Sequence, residues 1–279
     1  MVGVSNLNGV EERLGFYYND NGVIKTIDDY DVLIERDGSI IKFPQKQNCV
    51  INLDCRTWLL NGGFDKEPSS FITNSFTFSS QSSTKTTFGT LTDTLPTSGN
   101  DFQVSKGNYW YIPSSHQNDL SFGENILTNQ QFTIALTLKQ FGTPINWRNL
   151  TWFNNNDGIR FEWNAAGHFS IYTENNLMVG NADFPQLSSY RDEWVQLIMV
   201  VDGNARTIKG YQNGVLNTTN TLSRALDTSA GDWVRLFSQR GASNVGNYGC
   251  PVALRDFQIW KSALTDQEIA DLRKWLFLD

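Results

Sequence analysis

From about residue 100 onward the chain sets short apolar runs between turn residues roughly ten positions apart, the pattern of an antiparallel β-sandwich. Phe132-Thr133-Ile134-Ala135-Leu136-Thr137-Leu138, Ile159-Arg160-Phe161-Glu162-Trp163 and His168-Phe169-Ser170-Ile171-Tyr172 alternate in character, so each predicts a strand with one buried face. Asp157-Gly158 and Ala166-Gly167 mark the turns before the second and third. Trp194-Val195-Gln196-Leu197-Ile198-Met199-Val200-Val201 is the most apolar run and predicts a central strand, with Trp194 in the core. Asp202-Gly203-Asn204 ends it. Residues 208–212 and 215–217 flank Asn213-Gly214, a hairpin signal because both residue types tolerate positive φ. Residues 234–237 and 254–260 complete the set, with Trp260 again assigned to the core. Thr265-Asp266-Gln267-Glu268 then spells a capping box, and Ile269, Leu272 and Leu276 follow at helical spacing. This predicts a short terminal helix lying on the sandwich.

Residues 1–70 read differently. Val32-Leu33-Ile34 and Ser39-Ile40-Ile41-Lys42-Phe43 lie on either side of Asp37-Gly38, which predicts a hairpin, and Asn61-Gly62-Gly63 breaks the chain further on. A segment this small is marginal as an independent domain, so it reads as a β-rich arm or docking segment. Phe76-Thr77-Phe78 predicts one more strand, followed by a Ser/Thr-rich loop. The expected division is therefore 1–70 for the arm and 71–279 for the sandwich.

Composition supports β-structure over a helical bundle. Aromatic residues reach 13%, with nine Trp, while charged residues stand at 18%, leaving a surface rich in Asn, Ser and Thr. The net charge of −7, without any basic cluster, argues against a nucleic-acid partner. Cys49, Cys55 and Cys250 are an odd number without C-x-x-C spacing, which points to buried thiols, with a local Cys49–Cys55 bridge as the alternative. The first residues lack the cationic start and apolar run of a signal peptide, and no stretch is apolar for long enough to span a membrane.

The run Leu254-Arg255-Asp256-Phe257-Gln258-Ile259-Trp260-Lys261-Ser262-Ala263-Leu264-Thr265-Asp266-Gln267-Glu268-Ile269 resembles the closing strand and helix of laminin-G-like, concanavalin-A-like jelly rolls. Glu193-Trp194-Val195-Gln196-Leu197 with Tyr211-Gln212-Asn213-Gly214 is similar to the family's central strand and following hairpin. Gly107-Asn108-Tyr109-Trp110-Tyr111-Ile112-Pro113, Leu120-Ser121-Phe122 and Phe132-Thr133-Ile134 resemble its opening strands. Val252 departs from the pattern, since the family often has Gly there. The resemblance covers about 100–279 and leaves residues 1–70 unaddressed. It implies an all-β fold and recognition of carbohydrate or protein through rim loops, sometimes with calcium. The family also includes glycan-cleaving enzymes, and fold alone does not choose among these roles.

The chemistry of a retaining glycosidase needs two carboxyl groups about 5 Å apart. The family's Glu-x-Asp-x-x-Glu run is missing here: Glu162 is followed by Asn164 at i+2, and Glu162 and Glu193 read as solvated face residues. His116 and His168 lie near no Cys or Ser elbow, so no catalytic residue is assigned. Asn154-Asn155-Asn156-Asp157-Gly158 offers oxygens, but one carboxylate among five residues reads as a polar hairpin turn; no metal or cofactor is expected, with calcium left open. Around this turn Trp147, Trp152 and Trp163 accompany Arg148 and Arg160. Sugar rings stack on Trp while Asn, Asp and Arg bond hydroxyls, so Trp147, Arg148, Trp152, Asn154, Asn155, Asn156, Asp157 and Arg160 form the candidate glycan site. The competing reading turns Trp152 and Trp163 into the core.

The expectation is thus a non-enzymatic binding or structural module. Its setting is a bacteriophage virion, since a lectin-like sandwich that leaves by lysis needs no leader. Its partners are glycan or other virion proteins, and it is expected to be a homo-oligomer. The alternative is a secreted or cell-surface carbohydrate-binding module, and a glycoside hydrolase comes third.

Overall fold

The computed structural model describes residues 17–20, 23–26, 32–34, 40–54, 76–80, 110–112, 118–122, 130–140, 148–154, 157–163, 168–180, 182–184, 193–228, 233–236 and 252–276. Cys55, Cys250, His116, the Asp37-Gly38 turn and the Asn61-Gly62-Gly63 break lie outside them. The chain divides into two compact units, Met1–Lys46 with Thr265–Asp279, and Gln47–Leu264.

The smaller unit holds two antiparallel hairpins, β1 (Tyr17–Asp20) with β2 (Val23–Thr26) and β3 (Val32–Ile34) with β4 (Ile40–Lys42). The second pair is the one expected across Asp37-Gly38. Its helix α1 (Asp266–Leu276) begins as the capping box predicts. Glu268 Oε2 accepts from the Thr265 N–H at 2.7 Å, and the Glu268 N–H reaches Thr265 Oγ1 at 3.3 Å. Gln45 also donates to both Glu268 oxygens, at 2.9 and 3.0 Å, tying the helix start to the residues after β4. Ile269 and Leu272 are fully buried. The Thr265→Ala variant is expected to lose about 1 kcal/mol of helix stability, measured as faster hydrogen exchange across residues 266–276. The helix expected to close the sandwich therefore belongs to the same unit as the N-terminal hairpins.

The larger unit contains the remaining strands: β5 (Cys49–Asp54), β6 (Phe76–Ser80), β7 (Trp110–Ile112), β8 (Asn118–Phe122), β9 (Gln131–Gln140), β10 (Arg148–Asn154), β11 (Arg160–Trp163), β12 (Phe169–Tyr172), β13 (Ala182–Asp183), β14 (Trp194–Asp202), β15 (Thr207–Gln212), β16 (Val215–Thr221), β17 (Trp233–Leu236) and β18 (Val252–Trp260). They form two 7-stranded sheets with antiparallel pairing throughout. The first runs β13-β12-β11-β10-β17-β8-β6; the second runs β16-β15-β14-β9-β18-β5, with β7 also on β18. Cys49–Asp54, a stretch expected in the N-terminal arm, pairs instead with the last strand of the sandwich, Ile51 opposite Ile259. Cys49 is buried.

The core lies between the sheets, and the period of two fills it. Phe132, Ile134, Leu136 and Leu138 of β9 meet Val195, Leu197, Met199 and Val201 of β14 in register. Leu150, Phe161, Trp163, Phe169 and Ile171 come from the first sheet. Trp163 is fully buried, donates its indole N–H to Gln140 Oε1 at 3.0 Å, and lies 4.9 Å from the Phe169 ring. Asn213 (φ 52°) and Gly214 (φ 78°) form the two-residue turn between β15 and β16, as the sequence predicts.

The two tryptophans expected in the core lie outside the space between the sheets, although Trp260 is buried as expected. Trp194 and Trp260 sit at the alternate register positions, on the far face of the second sheet. Trp194 is half-buried, with Arg255 5.6 Å above its ring, and Trp260 is fully buried. This face is interior too: Ala135, Thr137, Gln196, Ile198 and Gln258 are all 0% exposed. Residues after β18 return over part of it, where Thr133 Oγ1 donates to Ser262 C=O at 2.8 Å and accepts the Leu264 N–H at 3.0 Å. A sheet buried on both faces explains why the 194–201 run is nearly unbroken in apolar character.

Candidate functional site

The outer face of the first sheet collects the polar partners of the core residues. A register shift between Asn149 and Thr151 sets its pattern on β10. Leu150 and Thr151 both turn inward, the Phe161 N–H donating to Thr151 Oγ1 at 3.2 Å, so the alternation changes phase at that bulge. Beyond it Trp152 stands opposite Arg160, where the register before the bulge would have set it opposite Ile159. One cross-strand row then runs Thr77, Ser121, Arg235, Trp152, Arg160 and Tyr172. The neighbouring row runs Asn149, Glu162, Ser170 and Asp183.

Arg160 is the hub. Its Nε donates to Glu162 Oε2 at 2.7 Å, and its Nη1 donates to Glu174 Oε1 at 3.2 Å and to Gly158 C=O at 3.3 Å. Its guanidinium lies 4.1 Å from the centroid of the Tyr172 ring, which is 37% exposed. Gly158 makes room for this arrangement. It holds φ +51°, and a Cβ there would fall 2.5 Å from Glu174 Cγ.

Glu162 was expected to be a solvated face residue. It is on the outer face, yet its side chain is only 2% exposed, and among the described residues its Oε1 has no hydrogen-bond partner. Burial raises its pKa above the ordinary 4.5, because water is withdrawn from the charged form. The hydrogen bond and charge of Arg160 oppose that rise, while Asp183 and Glu174 add to it.

Of the residues expected to touch glycan, the structure brings Trp152 and Arg160 into one row. Asn154 lies two positions beyond Trp152 on β10, and Arg148 stands opposite Trp163 at the other end of the pairing. Trp147, Asn155 and Asn156 lie outside the described residues. Asp157 has a different task. It is fully buried, its Oδ2 accepts the Asp227 N–H at 2.8 Å, its Oδ1 pairs with Arg224, and its C=O accepts the Glu174 N–H at 2.7 Å. Its carboxylate thus faces a cation and a backbone donor, the surroundings of a loop fastener rather than a calcium ligand. Among the described residues no three His, Cys, Asp or Glu side chains form a metal-binding group. Tyr172, Glu174 and Asp183 were missed; the Arg-x-Glu spacing of 160 and 162, which puts both on one strand face, was the available signal.

Comparison with known proteins places the fold. The binding domain of Paraclostridial Mosquitocidal Protein 1 is similar, with a TM-score of 0.53 and 14% identity over 82% of this chain and 52% of that one. The receptor-binding domain of botulinum neurotoxin mosaic serotype C/D matches with a TM-score of 0.46 and 14% identity, over 60% of this chain and 42% of that one. The Trypanosoma rangeli sialidase matches with a TM-score of 0.44 and 10% identity, over 60% of this chain and 27% of that one. The chain spans about half the length of these structures or less, and at 14% identity the likeness to the mosquitocidal protein's binding domain is one of fold alone. No curated protein matches the sequence. A laminin G family model, described as the concanavalin A-like lectin/glucanases superfamily, matches residues 105–270. With more than half of its length matched, the chain belongs to the concanavalin A-like lectin/glucanase superfamily.

Proposed function

We propose that this chain is a non-catalytic recognition module that holds glycan on the outer face of its first sheet. The observation that carries the reading is the row in which Trp152 stands opposite Arg160 and Arg160 covers the exposed ring of Tyr172. Sugars present C–H faces that pack on aromatic rings and hydroxyls that pair with fixed polar groups. Two carboxylates already hold the Arg160 guanidinium, so binding need not order that side chain.

The test is a glycan array read with the parent chain and with Tyr172→Ala. Tyr172 is exposed, so the fold is expected to survive, checked by unchanged circular dichroism. Loss of a stacking face is expected to weaken binding about tenfold or more. Binding that is unaltered in Tyr172→Ala would remove this row as the site.

The setting we propose is a bacteriophage virion. Residues 1–70 dock the chain, and homo-oligomeric copies present the sandwich to host glycan, where repeated weak contacts add up. Mass spectrometry of purified particles tests this placement. Glycan binding by a chain missing from every particle would favour a secreted or cell-surface module instead. One observation favours a hydrolase, the buried Glu162 with its raised pKa. That reading requires reducing-sugar release that Glu162→Gln abolishes.

A further inference from the structure

Together with Glu174 in the turn after β12, the two outer rows carry more acid than base. Arg160 is held between Glu162 and Glu174, and Asp183 is exposed one strand beyond Ser170. Adding the Arg235 position of the first row still leaves two cations against three carboxylates. The guanidinium is therefore neutralised from within the protein before any ligand arrives. The whole chain, at −7, adds to the same negative field.

The hydrogen-bonding capacity of the site has the same sense. Glu162 Oε1 is a buried acceptor without a partner among the described residues, and the Asp183 carboxylate is an acceptor open to solvent. Both seek donors. A sugar hydroxyl supplies one, whereas a sugar carboxylate or sulfate brings only acceptors and like charge.

Resting on the glycan-binding reading above, we propose that this site takes uncharged sugars and rejects their carboxylated or sulfated counterparts, with Glu174 and Asp183 as the rejecting charges. Glu162 acts through Arg160 and is a positioning residue. Specificity here comes from the repulsive element as much as from the contacts.

The experiment compares neutral glycans with their sialylated and sulfated forms on one array, followed by titration calorimetry on the best matched pair. The readout is the ratio of the two affinities, so a variant that weakens both equally does not register. The parent chain is expected to bind the acidic member about tenfold more weakly, with the gap narrowing in 0.5 M salt as the Debye length falls to about 4 Å. Asp183→Asn and Glu174→Gln are each expected to narrow the gap, and the double variant is expected to close most of it. An acidic form that binds as well as or better than the neutral one overturns this inference and leaves the glycan reading standing. A gap that persists in the double variant also overturns it. No binding to any glycan sinks the reading and this inference together.

Discussion

The Asp157→Ala variant is expected to unfold at lower urea concentration than the parent, with stability reduced by about 2–3 kcal/mol. Asp157 is fully buried and joins three stretches of chain: its own turn, the turn at Glu174, and residues 224–227. Removing the carboxylate leaves the Asp227 N–H without that acceptor and Arg224 without its anion. Arg224 is 40% exposed, so water recovers part of the loss, and the figure stays below that for a fully buried pair. Arg224→Ala is the sharper cut. It leaves the buried carboxylate without its cation, and a cost of about 3 kcal/mol or more is expected. The double variant is then expected to be no worse than Asp157→Ala alone, since its carboxylate is gone. Midpoints at unchanged m-value provide the measurement. An Asp157→Ala chain within about 0.5 kcal/mol of the parent would show that the turn is held by other groups.

The larger unit was largely legible from the sequence, because strands with one buried face print their period directly. β9, β11, β12, β14 and the Asn213-Gly214 hairpin stand where alternation and turn chemistry put them. Pattern failed where the period slips or where both faces are covered. On β10 the shift at Leu150 reverses the phase, so unbroken alternation would turn Trp152 inward, whereas the register sets it opposite Arg160. On β14 and β18, Trp194 and Trp260 sit in apolar runs, yet alternation in three dimensions puts them on the far face. An apolar run says that a strand is buried, not which side a given ring takes.

The site was legible only in part for a related reason. Trp152 and Arg160 drew attention as residue types that suit sugar, while Asp157 drew it through its place in a polar turn. The structure separates them, because Asp157 answers to Arg224 and Asp227, residues far along the chain. Glu174 joins Arg160 only through the turn after β12, where the Glu174 N–H meets Asp157 C=O. No spacing rule reaches across such loops. The pairing of Cys49–Asp54 with β18 is equally non-local, since Asp54 stands opposite Asp256 and Cys49 opposite Trp260.

Glu162 gives the stability of the larger unit a pH-dependent contribution. Its folded-state pKa lies above the ordinary 4.5, chiefly through burial, so the folded chain holds this proton more tightly than the unfolded chain does. The resulting stability is fully present below pH 4.5 and is lost as pH rises through the folded-state pKa. Each tenfold difference in proton affinity between the folded and unfolded chains is worth about 1.4 kcal/mol. This sign is opposite to that of a salt-bridged carboxylate with a lowered pKa, which loses stability on acidification. Arg160 reduces the effect without reversing it, since its hydrogen bond and charge are outweighed by desolvation. Glu162→Gln keeps the shape of the side chain and removes the titration. Urea midpoints for both chains from pH 4 to pH 8 are therefore expected to show the parent losing ground to the variant as pH rises. A difference that stays flat, or that grows in favour of the parent with rising pH, would mean that the Arg160 ion pair governs this carboxylate and that its burial does not.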